Sequence, residues 1–367
     1  MTGENALRRR IRAIGVATSI AALVLAGCVA GGPDNGGRKV FFFLPNTTTK
    51  RFVQRDAPMF TEFLRLFAPD VSVTLLNAGG DPATQESQVN DAITQGASAI
   101  VLVSADANRA SAALAAAHQA SVPVVLYDHD AVGGPADGQI VFDSLEVGRQ
   151  QGMRAAQLIN AMPGQGLKVA RVKGHPGDYG TIHYQAGQDE FLQPLIDSGK
   201  IEVICDQNIN NWDPVQGQSF AEACLANENN AIDMFITMND DLAGGIVAAL
   251  DRQELVGRIP VTGGQDANLA ALQLIAQNKL DNTIYKNLSD QAKAAAQVTT
   301  SILDGNGVPE NMINGTIDNQ YMDVPTVFLP VQNITRDNLQ VVVDAGFYTW
   351  QQICEPDPMS EVCKEHD

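Results

Sequence analysis

The 367-residue sequence predicts an α/β protein built as two doubly wound lobes, each on a parallel sheet. Three observations carry this. Short apolar runs of strand length alternate with segments of helical spacing, the pattern of parallel strands covered by helices on both faces. The alternation restarts at Glu146 and runs through a second set. The chain is also too long for one ordinary hydrophobic core.

In the first set, Lys39–Leu44 (KVFFFL) reads as a buried strand, and Phe60, Phe63, Leu64 and Phe67 recur at helical spacing. Pro58 inside that pattern predicts a kink or a late helix start. Val71–Asn77 is the next strand. Asp81-Pro82 supplies a cap and a first-turn proline to a helix with Val89, Ala92 and Ile93 on its stripe, which Gly96 ends. Ala99–Ser104, a helix over 107–120, Pro123–Asp128 and Gln139–Ser144 follow. The second set reads as a helix to Met162, strand 168–173, helix 183–197, strand 201–206, helix 215–228 and strand 232–238. Helix 241–253, strand 260–263, helix 268–278, strand 282–286 and helix 289–303 complete it.

The N-terminus reads as an address. Arg8, Arg9, Arg10 and Arg12 precede an apolar stretch, Ala13 to Leu25, that is short for a bilayer span and suits a signal segment. It ends in Leu25-Ala26-Gly27-Cys28, an arrangement that resembles the bacterial lipobox, which implies a lipidated Cys28 as the mature first residue. Gly31 to Gly37 reads as a flexible tether. Removing residues 1–27, with their four arginines and one glutamate, takes the formal charge from −18 to −21. An acidic chain without a basic stripe argues against nucleic acid as a partner. No later segment is long and apolar enough to span a bilayer, so the body is expected to be soluble. Cys205, Cys224, Cys354 and Cys363 remain, an even number that favours disulfides in an exported chain. Three pairings are open; nearness in the chain favours Cys205–Cys224 and Cys354–Cys363.

In open parallel sheets, ligands bind beyond the carboxyl ends of the strands. Strand ends here deliver Asn46 and Lys50 to Phe52, then Asp128 and His129, then Asn239 and Asp240, then Gln265 and Asp266, and finally Lys286. Their recurrence at one sheet edge points to a shared pocket. Asp and Asn accept from hydroxyls, Arg, Lys and Asn donate to them, and the rings of Phe52 and Trp212 can cover the C–H face of a sugar. Enzymatic motifs are missing: there is no G-x-S-x-G elbow and no phosphate-binding G-x-x-x-x-G-K-[ST]. His129 shows no metal spacing with His118, His175, His183 or His366, and Asp206, Asp213 and Asp233 form no calcium loop. Neither a metal nor a cofactor is implied.

Several stretches together resemble the type I periplasmic sugar-binding proteins, most closely their xylose-binding branch. They are Ala83 to Gln88 (ATQESQ), Trp212-Asp213-Pro214, Asn239 to Gly245 (NDDLAGG), Gly264 to Asn268 (GQDAN), Thr283 to Lys286 (TIYK) and Asp323-Val324-Pro325. The resemblance implies two lobes joined by a three-strand hinge, with residues 38–142 plus 287–321 in one lobe and 143–286 plus 322–367 in the other. It implies a ligand in the cleft, contacted by Arg51, Asp128, Trp212, Asn239, Asp266 and Lys286 and walled by Phe52. Two departures are visible. His129 replaces an arginine of that branch, and Gly177-Asp178-Tyr179-Gly180 replaces its asparagine-bearing loop. A neutral histidine beside Tyr179 suits an open-chain polyol about as well as a pentose. The expected protein is a monomeric, lipid-anchored solute-binding component of an ABC importer, with no catalytic role. A ligand-presenting sensor for a membrane receptor and an exported carbohydrate-active enzyme are the alternatives. A sugar-responsive regulator would need a helix-turn-helix where this chain has its signal segment.

Overall fold

Residues 37–365 are described by the structure, a computed structural model. Cys28, the signal segment, nearly all of the tether and His366 lie outside the described residues.

The first lobe opens with β1 (Lys39–Leu44), α1 (Ala57–Phe67), β2 (Ser72–Asn77), α2 (Pro82–Thr94), β3 (Ala99–Leu102), α3 (Ser111–Gln119), β4 (Val124–Tyr127) and β5 (Gly138–Phe142). The chain then builds the second with α4 (Ser144–Ala161), β6 (Leu167–Lys173), α5 (Gly180–Asp197), β7 (Ile201–Asn208), α6 (Pro214–Asn227) and β8 (Met234–Thr237). There follow α7 (Asp240–Asp251), β9 (Val261–Gly263), α8 (Leu269–Ala276) and β10 (Asn282–Lys286). Next come α9 (Leu288–Leu303), β11 (Gly315–Asp318) and β12 (Asp323–Leu329) in the first lobe. Finally β13 (Val331–Thr335), α10 (Gln340–Asp344), α11 (Trp350–Cys354) and α12 (Glu361–Lys364) belong to the second.

Alternation along β1 shows why each sheet is covered twice. Val40, Phe42 and Leu44 enter one apolar cluster with α1 and α9, whereas Phe41 and Phe43 enter another with α2 and α3. Side chains of period two on a strand buried on both faces require that division. The first sheet runs β2-β1-β3-β4-β5-β12-β11, parallel except for β11. The second runs β7-β6-β8-β9. It continues to β10 through Asp266 N–H to Ile284 O (2.9 Å) and Ile284 N–H to Gly264 O (3.3 Å), and then to antiparallel β13. Both lobes therefore repeat the order 2-1-3-4-5, whose switch point lies above their central strands.

The proline effect at position 58 takes a specific form. Pro58 sits in the first turn of α1, and Phe52–Asp56 before it winds as a π-helix, with Ala57 N–H bonded to Phe52 O. An α-helical ring there would clash with the carbonyl four residues back, so the turn widens instead.

The hinge differs from the expected boundary. Crossings follow β5 and β10. The third falls at Pro330, not at 322, because β12 lies parallel to β5 with Thr326 opposite Gln139 and Leu329 opposite Phe142. Val324 and Val327 are buried in first-lobe clusters, which fixes that strand there. Cys205–Cys224 ties β7 to α6 and Cys354–Cys363 ties α11 to α12, the pairing favoured by nearness. Among the described residues, no helix is long and apolar enough to cross a membrane.

Candidate functional site

The carboxyl ends of both sheets face one another across a narrow chamber of about 20 Å³. That is far below the several-hundred-Å³ pockets of drug-sized ligands. Arg51, Phe52, Asp128, His129, Trp212, Asn239, Asp266 and Lys286 all line it, together with Thr49, Asp178, Tyr184 and Gln265. Surface grooves of larger volume, one of about 360 Å³ beside Arg336 and Glu361, lack this convergence of buried polar groups.

Arg51 is the centre of the first-lobe wall. Its guanidinium donates to Asp56 twice (Nε–Oδ2 3.1 Å, Nη2–Oδ1 2.9 Å), to Asp128 (3.2 Å), to Gln291 (2.9 Å) and, across the cleft, to Asp266 (2.9 Å). Tyr127 O–H donates to Asp56 (2.6 Å), so the π turn carries a fully buried carboxylate that fixes the arginine from behind. Burial opposes the charge on Arg51, but Asp128, Asp56 and Asp266 outweigh it and hold its pKa above the usual value. Burial would likewise raise Asp128; Arg51 and Lys286 more than offset this and hold its carboxyl well below the usual range. Lys286, at the end of hinge strand β10, has Asp266 3.5 Å away. Tyr184, Asp128 and Asp266 overcome its burial and push its pKa up. Burial pushes the Tyr184 phenol up to about 12 despite Lys286 nearby, so it stays a neutral donor.

The second-lobe wall is held by backbone geometry. Asn239 Oδ1 caps α7 by accepting from Leu242 N–H (2.9 Å), leaving its Nδ2 donors for the chamber. Trp212 packs edge-on against Tyr184 with ring centroids 6.3 Å apart. Its ring occupies the space that any Cβ at Gly174 would fill. Asp128 (φ 62°), Trp212 (φ 53°) and Asp266 (φ 96°) adopt left-handed backbone conformations. Such conformations cost of order 1–3 kcal/mol each and cluster at functional sites.

Two expected positions fall elsewhere. Asn46 accepts from Thr49 N–H (2.9 Å) and Thr48 Oγ (3.0 Å), organising the loop after β1 instead of lining the chamber. Tyr179 lies at the lip, where Gln320 Nε2 reaches its hydroxyl across the cleft (3.4 Å). It is the neighbouring Asp178 that lines the chamber, 3.3 Å from His129 Nε2. His129 Nδ1 is bonded to Ser104 O (2.8 Å), which fixes its proton on Nδ1 and leaves only Nε2 toward the chamber. The donor-and-acceptor pair and the Tyr179 hydroxyl that favoured an open-chain ligand are therefore not available there.

Beyond the contacts that the resemblance implies, Gln265, which the strand-end rule delivers with Asp266, and Asp178, from the departing loop after β6, also line the chamber. Tyr184, one turn into α5, has no sequence signal. The lobes are closed on each other: Arg51–Asp266, His129–Asp178, Gln320–Tyr179, Ala107 N–H to Gly177 O (2.7 Å) and Thr48 Oγ to Asn211 O all cross the cleft.

Two such lobes closing over a polar chamber, with three crossings between them, define a hinge-type solute-binding protein. Residues 40–307 match the family model described as a periplasmic binding protein domain, and the chain belongs to this family, within its type I sugar-binding proteins. Members are solute-binding proteins rather than enzymes. The chain is similar to the D-xylose-binding periplasmic protein of Escherichia coli (strain K12), with 32% identity over 80% of this chain and 86% of the relative. It also resembles the xylitol-binding protein of Mycolicibacterium smegmatis (23% identity; 76% of this chain, 72% of the relative). Among solved structures, a carbohydrate transporter solute-binding protein from Chloroflexus aurantiacus in complex with D-glucose aligns with TM-score 0.76. It is 25% identical, covering 86% of this chain and 98% of that one.

Proposed function

We propose that this protein captures a neutral, hydroxyl-rich molecule of about four to six carbons, a pentose, pentitol or tetritol, and delivers it to an ABC importer. The observation that carries the reading is that both cations of the chamber are already paired. Arg51 pairs with Asp128 and Asp266, and Lys286 with Asp266, so an anionic ligand would have to break existing pairs. A polyol instead inserts hydroxyls that donate to the remaining carboxylate lone pairs and accept from the free N–H groups. Phe52 and Trp212 supply apolar walls for its C–H faces. The xylose-binding relative and the xylitol-binding relative support the same class.

Closure follows from shared contacts. A ligand bonded to both walls binds the closed state better than the open one and shifts the population by that difference. Calorimetry and thermal shift with D-xylose, D-ribose, D-glucose, xylitol, ribitol and erythritol test the class. Stabilisation by at least one of these is expected; stabilisation by amino acids or disaccharides alone would overturn it. Anchoring through Cys28 on the outer face of the cytoplasmic membrane belongs to the same proposal, supported by the Leu25–Cys28 tetrapeptide. Labelled palmitate is expected in the wild type and not in Cys28→Ala; equal labelling refutes the anchor.

A further inference from the structure

Ten buried side-chain polar atoms among the described residues have no hydrogen-bond partner. Only two belong to residues that line the chamber: Thr49 Oγ1 and Gln265 Oε1. Thr49 is 6% exposed and Gln265 3%. The two stand on opposite walls, Thr49 in the loop after β1 and Gln265 in the turn after β9. Their main chains are committed: Thr49 N–H donates to Asn46 Oδ1 (2.9 Å) and Gln265 O accepts from Asp240 N–H (3.3 Å). The side-chain oxygens Thr49 Oγ1 and Gln265 Oε1 lack partners. A buried polar group left unpaired is destabilising, so groups of this kind in a folded protein call for a partner from outside the chain.

We infer that Thr49 and Gln265 are two further ligand-binding residues, one from each lobe, which close on hydroxyl groups of the bound molecule. The inference rests on the polyhydroxyl reading of the chamber and adds a selection rule to it. An amide oxygen only accepts, so Gln265 demands an O–H from the ligand; a threonine hydroxyl both donates and accepts. A site with such an unpaired acceptor strongly discriminates against an analogue that lacks the hydroxyl. Neither residue repeats a role already filled by the paired charges of Arg51, Asp266 and Lys286. Those groups are satisfied in the closed structure without ligand, whereas these two are not.

Thr49→Val and Gln265→Met keep the side-chain shape and remove the unpaired oxygen, which separates a binding role from a structural one. Affinities for D-xylose, xylitol and erythritol are measured by calorimetry, and the ligand-free Tm of each variant by calorimetric melting. For whichever probes the wild type binds, each variant is expected to bind roughly five- to a hundredfold more weakly. Its ligand-free Tm should be unchanged or higher, since a buried unpaired group has been removed. Wild-type affinity in both variants, or a fall in ligand-free Tm that accompanies the loss of binding, overturns the inference and leaves the polyhydroxyl reading standing. A wild type that binds none of the three probes strikes the reading itself, and this inference with it.

Discussion

The two lobes repeat one fold yet hold two pairs of carboxylates, Asp56 with Asp128 and Asp240 with Asp241, in opposite ways. In the first, Asp56 and Asp128 are buried against Arg51, and the Asp128 carboxyl is held far below its usual range. In the second, Asp240 and Asp241 open helix α7 with no cation bonded to either among the described contacts. Burial, with Asp266 beside it, pushes Asp240 up although it accepts from Thr283 Oγ1 (2.7 Å) and Asn268 N–H (2.8 Å). Burial and Asp266 raise Asp241 to about 6, with Lys50 opposing. Both disulfides also belong to the second lobe. The Asp56–Asp128 pair is thus held by a side-chain charge network around Arg51, and the start of α7 by a helix cap and neutral hydrogen bonds. A single substitution can dismantle the former; the latter yields more locally.

The largest effect is therefore expected from Arg51→Met. It leaves Asp56 buried without a cation and Asp128 and Asp266 with Lys286 alone, and breaking a buried pair from one side costs about 3–5 kcal/mol. Binding should fall at least a hundredfold by calorimetry. A urea midpoint equal to wild type would break the comparison, since the network would then be dispensable to the first lobe.

Cys205→Ser with Cys224→Ser opens a loop of 19 residues, for which the chain-entropy model gives about 3 kcal/mol. Hydrogen exchange should rise in β7 and α6 and not in β1–β4. Uniform loss of protection across both lobes would mean that they unfold as one unit.

A smaller and more selective effect is expected from Asn239→Asp. The cap to Leu242 N–H survives, while the Nδ2 donors are lost and a charge arrives near Asp266. Affinity for the bound probe should drop about five- to a hundredfold with Tm within a few degrees of wild type. Loss of fold instead of binding would assign Asn239 to the scaffold alone.

The last effect concerns pH and amounts to at most about 3 kcal/mol. With Asp241 titrating at about 6 when folded and 3.8 when unfolded, the folded state holds the extra proton between those values. Stability then falls as pH rises from about 4 to 6 and is level above. Asp241→Asn should match the wild type below pH 4 and exceed it above pH 6. Identical pH profiles of Tm would show that the second lobe does not carry an uncompensated carboxylate there.

What the sequence determined by itself was local or periodic. Strand–helix alternation predicts two parallel-sheet lobes because side-chain burial on two faces writes itself into runs such as KVFFFL. Asp81, Asp213 and Asn239 announce helix starts because a cap needs only its own next turn. The strand-end rule brings Arg51, Asp128, Asn239, Asp266 and Lys286 to one edge, where the chamber is found. What only the tertiary structure decided depends on contacts between distant segments. β12 belongs to the first sheet because a lateral partner, β5, was free to pair, and no pattern within Asp323–Leu329 names that partner. Asp178 rather than Tyr179 lines the chamber, and Asn46 does not, because loop geometry settles where a side chain points and which bonds it has already made. The oxygens of Thr49 and Gln265 stand unpaired for the same reason: satisfaction of a polar group is a property of everything around it, and the sequence lists only the group.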